Sequence, residues 1–217
     1  MKGLESKIAL LVIILLTGCT RHTLYETDDG LYHYVDDEKC TVSLQDEWYT
    51  FSVVADKKLA VEQSEVNSII APESAFLNES NVRGSADIAN GARIVGTQID
   101  GPLEVKGGLE ARDSHFVDPV YVEGPITSQC SFFMDHIHAK SDVIVLESTQ
   151  TQSICIEPTS SIYQTQLLCI KQGSVVDGDI TFTSGRGQIL LDHTSFITGI
   201  ITGAHFIQPS VHYENVK

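Results

Sequence analysis

The sequence predicts an all-β chain folded as a single-stranded parallel β-solenoid of triangular cross-section, with about 17 residues per coil, seven to eight coils and a small N-terminal β cap. Three observations predict it. Apolar residues recur every 17 positions, with Ile69, Ala86, Leu103, Val120, Ile137 and Ile154 heading successive copies. Each is followed two residues later by another, Ala71, Ile88, Val105, Val122, Ala139 and Ile156. A hydroxyl returns at a third place in every copy, at Ser80, Thr97, Ser114, Ser131, Ser148 and Thr165.

The paired residues stand at i and i+2, one face of a strand. A second pair runs from Ala75 and Leu77 through Ala92 and Ile94 to Val143 and Val145, and a third couples each hydroxyl to Val82, Ile99, Phe116, Phe133, Gln150 or Leu167. Three short runs with corners between them make one turn of a prism. Such a coil bonds only to the coils above and below it, and a two-helix repeat would need roughly 33 residues. The hydroxyls share a face with the inward residues, so they are expected to form a corner ladder rather than to act as nucleophiles.

Taken in order, residues 1–18 read as a signal peptide. Lys2 and Lys7 precede an unbroken apolar run, Ile8 to Leu16, which is too short to span a bilayer as a helix. Residues 19–30 are polar and aperiodic, as expected of a tether. Residues 31–65 hold strand-like stretches and are assigned as a cap, because an open solenoid end exposes strand edges and core. Trp48, the only tryptophan, is expected to cover that end. Residues 66–207 form the solenoid, regular from 69 to 153. The corner Ser174-Val175-Val176 comes nine residues after Thr165-Gln166-Leu167, so one of the two belongs to an insertion. Thr183 to Gly187 form a loop, Ile189, Leu191, Thr194 and Phe196 complete that coil, and Ile200, Thr202 and Phe206 make a last partial one. Residues 208–217 are a polar tail.

The residues Leu16-Thr17-Gly18-Cys19 resemble the lipobox of bacterial lipoproteins. The resemblance implies lipidation of Cys19, export, and attachment to the cell envelope through acyl chains. Thr20 in place of Asp favours the outer membrane by the same analogy. The coil of three short strands with glycine at corners such as Gly84, Gly101, Gly107 and Gly124 resembles, over residues 66–207, the bactofilin family of polymer-forming β-solenoids, which implies end-to-end stacking.

The net charge of −15 argues against nucleic acid and against an anionic leaflet as partners. Beyond Cys19, four cysteines remain. Cys155 and Cys169 bracket the irregular coil and are expected to be bridged, leaving Cys40 with Cys130. Asp135, His136 and His138, with Asp118 one coil earlier, are the candidates for a metal; no third ligand at proper geometry is evident, so they read as surface polar residues. Lys106, Glu123, Lys140 and Glu157 form a column of alternating charge. No nucleophile elbow, phosphate-binding glycine loop or HExxH pattern occurs, and no cofactor is implied. The expectation is a non-enzymatic envelope lipoprotein, a scaffold presenting a flat face to an envelope protein assembly or to cell-wall glycan. The alternative is a polysaccharide-acting β-helix enzyme of lyase or hydrolase type.

Overall fold

The computed structural model describes residues 22–26, 32–36, 42–46, 48, 52–55, 57–159 and 164–207. Three parallel sheets wind into a solenoid. Leu103–Val105 lies on the first face, Leu109–Arg112 on the second and His115–Phe116 on the third, and every coil repeats that order. Leu103, Val120 and Ile137 stand directly over one another, as do Ala92, Leu109 and Ile126. The alternation along each strand drives one residue in and the next out, so Leu103 and Val105 are buried around an exposed Glu104. The inward side chains of all three faces join in one continuous apolar core.

The first face carries nine parallel strands from Val53–Ala55 to Ile201–Thr202. That is one coil more than expected, because Val53–Ala55, Leu59–Glu62 and Glu65–Val66 form a coil inside the segment assigned to the cap. Its 16-residue length, with Val53 beneath Ile69, put it out of phase with the repeat. N-terminal to it, His22–Glu26 and Tyr32–Asp36 pair antiparallel and add to the first face, so part of the expected tether is strand. Trp48 bridges Glu65 through its backbone and is 79% exposed; the side chain does not cover the core.

Two shifts of one residue correct the expected register. In the coil headed by Ile137, Ile144 and Leu146 point inward instead of Val143 and Val145, and Thr149 and Thr151 replace Ser148 and Gln150. The corner at Ser141 and Asp142 holds the extra residue, and the buried Ser141 hydroxyl closes it by donating to the Val143 carbonyl at 2.9 Å. A shorter corner between Thr151 and Ile154 restores the phase. Near the C-terminus Ser195, Ile197 and Ile201 take the inward places expected for Thr194, Phe196 and Ile200. The insertion in the sixth regular coil lies before the strand Gln166–Lys171, whose Leu168 and Ile170 are inward, so the corner at Ser174 is the genuine one.

Candidate functional surfaces

The recurring hydroxyls are built into the scaffold. At the corner between the second and third faces the chain passes through a left-handed residue in coil after coil, among them Gln63, Glu79, Gly96, Asp113, Cys130 and Ser148. The hydroxyl residue that follows donates to the carbonyl two positions back, as Ser114 does to Arg112 at 2.7 Å, and accepts an N–H from the coil below, as Ser114 does from Thr97 at 3.3 Å. Ser80, Thr97, Ser131, Ser174 and Ser195 accept in the same way. At Thr149 the pattern alters, and its hydroxyl meets that of Ser128 at 3.0 Å in the core. These groups satisfy buried backbone donors. They are not presented to a substrate.

His136 and His138 flank the inward Ile137 and both emerge on or beside the first face, with Tyr121 against each ring at about 6 Å. Each histidine has its own carboxylate. His136 Nδ1 lies 2.8 Å from Asp135, and His138 Nε2 lies 3.1 Å from Glu157. The His136 N–H, donated at 2.6 Å, and then its ring hold the Asp135 carboxyl below the usual carboxylate range. Asp118 is exposed one coil earlier, while Asp135 is turned to His136. Among the described residues, no group of three or more His, Cys, Asp or Glu comes together to hold a metal ion. In the alternating column Lys140 stands in register with Glu157, but the close contacts are local, since Lys106 reaches Glu104 at 3.6 Å in its own coil and Glu157 turns to His138. Exposed pairs of this kind are worth ~0.2–1 kcal/mol.

Cys130, Cys155 and Cys169 are free thiols. Cys155 lies on the first face and Cys169 on the second, so the expected bridge between them is not formed. Burial pushes both thiols up in pKa, which makes them poor nucleophiles at neutral pH. Asp142 ties down the insertion instead, accepting from the Thr159 hydroxyl at 2.7 Å and the Gln164 amide at 2.9 Å. Cys130 is exposed at its left-handed corner. Its expected partner Cys40, and the lipidation candidate Cys19, lie outside the described residues.

A feature not read from the sequence is a groove of about 660 Å³ running along the rod on the second face. Lys58, Ser74, Gly91, Gly108 and Pro125 enter it from one position in five successive coils, each just before the second-face strand. Two adjacent glycines keep that line shallow. Phe76, Arg93, Glu110 and Thr127 form the other side, stacked one above the next. The Arg93 guanidinium carbon lies 5.8 Å from the Phe76 ring centre, and its Nε lies 3.5 Å from Glu110. The recurring small residues were the available signal, but a groove also needs larger neighbours on one side.

Fold and surface together define a parallel β-solenoid with paired charges on one face and a longitudinal groove on another. The described residues contain no helix long and apolar enough to cross a membrane. Comparison with protein-family models, curated proteins and solved structures gives no match to this chain.

Proposed function

We propose that this chain is a non-enzymatic lipoprotein of the bacterial envelope, anchored through acyl chains on Cys19 and presenting the solenoid as a rigid display surface to an envelope protein assembly or to cell-wall glycan. The observation that carries the reading is Leu16-Thr17-Gly18-Cys19 immediately after the apolar run, ahead of a rod whose repeated hydroxyls are taken up by the corner ladder. Glycosidic cleavage in most hydrolases uses two carboxyl groups across the bond. The groove holds one, Glu110, already paired with Arg93, which suits holding a glycan rather than cutting it. Thr20 points to the outer membrane.

The test is labelled-palmitate incorporation in a bacterial host with envelope fractionation, followed by crosslinked capture from membranes. Label in the outer-membrane fraction that disappears in Cys19→Ser supports the proposal. A full-length, unlabelled chain in the soluble fraction overturns it.

A further inference from the structure

The structure assigns the groove on the second face to an acidic glycan strand lying along the rod axis. This deepens the reading of the rod as a display surface for glycan, and it does not depend on lipidation. Three features carry it. The first is charge. Of the residues lining the groove, Lys58 and Arg93 are cationic and Glu110 alone is anionic, on a chain of net charge −15. The lining therefore carries one net positive charge on an otherwise acidic rod, with Glu110 answering only part of Arg93, and that balance favours an anionic ligand.

The second is shape. The line through Gly91 and Gly108 continues from coil to coil, so the groove follows the rod for several rises of ~4.8 Å each. That advance is comparable with one sugar in an extended, equatorially linked chain. The third is the chemistry of the walls. The Arg93 guanidinium lies over one face of the Phe76 ring, and the rest of the ring gives a pyranose C–H face an apolar surface to pack against while the cation meets its carboxylate. An acidic peptide fits less well. The groove lies on the face of a sheet whose backbone groups bond from coil to coil, as Leu109 N–H does to Pro125 O at 2.9 Å, so an extended peptide finds no free ladder to join.

The probe is a series of β-1,4-linked mannuronic acid oligomers titrated calorimetrically into the full chain, with dextran oligomers as the neutral glycan and polyglutamate as the acidic peptide. Saturable binding of the uronic acid oligomers is expected, strengthening with length until the groove is filled and weakening with salt. Phe76→Ala and Arg93→Gln should each weaken it roughly tenfold with unchanged far-ultraviolet spectra, while Lys140→Gln on the first face has no effect. No heat with the uronic acid oligomers overturns the assignment, and so does equal binding of polyglutamate or of dextran. Binding indifferent to Phe76→Ala and Arg93→Gln overturns it as well. Each of these failures leaves the palmitate result untouched.

Discussion

The rings of Phe116 and Phe133 stack in adjacent coils, centres 4.6 Å apart and planes 15° from parallel. They share a column with Ile99 below and Thr151 above. The opposite wall adjusts to them. On the second face the inward residue is Ile94 beside Ile99, but Ala111 and then Ser128 in the coils that carry the two rings. Large and small residues thus trade places across the prism to keep each layer filled. Ser128→Leu alone is expected to overpack its layer and cost about 1–3 kcal/mol. Adding Phe133→Val should recover most of that loss in chemical denaturation, and a second loss of equal size would refute the complementarity.

Thr151 continues the same column toward Val176 with a hydroxyl that is buried without a partner. An unmet buried hydroxyl costs about 1–3 kcal/mol, and valine has nearly the same shape. Thr151→Val should therefore raise the melting temperature by an amount equivalent to about 1 kcal/mol. A fall would mean that the hydroxyl is bonded.

At Gly107 the spacing between coils leaves no room for a side chain, since a Cβ would lie 1.6 Å from the Asn90 carbonyl oxygen. Gly107→Ala must separate two coils or bend the corner, and should cost about 3 kcal/mol or more. Gly173→Ala is the comparison. There the added carbon meets nothing, and only the positive φ of 76° opposes it, at roughly 1–2 kcal/mol. Urea midpoints of the two variants should rank in that order.

Acid should loosen the C-terminal coils through Asp192. Its carboxylate accepts the Gln172 N–H at 2.7 Å and is also bonded by Ser195 and Thr194, and the Gln172 bond above all holds the carboxyl far below the usual carboxylate range. A carboxyl so depressed stabilises the fold above its unfolded value of about 4, and the contribution is lost as pH falls toward the folded value. Asp192→Asn should melt below the parent at neutral pH, and the gap should narrow between about pH 5 and about pH 2. A gap independent of pH would mean that ionisation plays no part.

The periodicity made the core legible wherever inward and outward residues differ in kind. Glu104 between Leu103 and Val105 leaves no doubt which side is which. Val143-Ile144-Val145-Leu146 offers four apolar residues in a row, and alternation cannot tell one phase from the other; there the structure moves the inward set by one. The same ambiguity explains the shift from Ile200 to Ile201. The N-terminal coil was hidden by its shorter length, and Trp48 misled because a large apolar side chain was equated with a covered one. Of the surfaces, the hydroxyl ladder could be read because every copy shows it. The groove could not, because it arises from unlike residues, Phe76, Arg93 and Glu110, facing a line of small ones. The left-handed column escaped notice because its occupants include Gln63, Glu79 and Cys130 rather than only glycine.

Since Leu103 rests on Ala86 and carries Val120 by the same register, residues 103–119 form a cassette whose removal brings Val120 onto Ala86 with an equivalent corner. Such an excised chain should still fold, shorter by a single rise. Reach in this protein is then a number that recombination can edit a step at a time, like links in a chain, without redesigning either end.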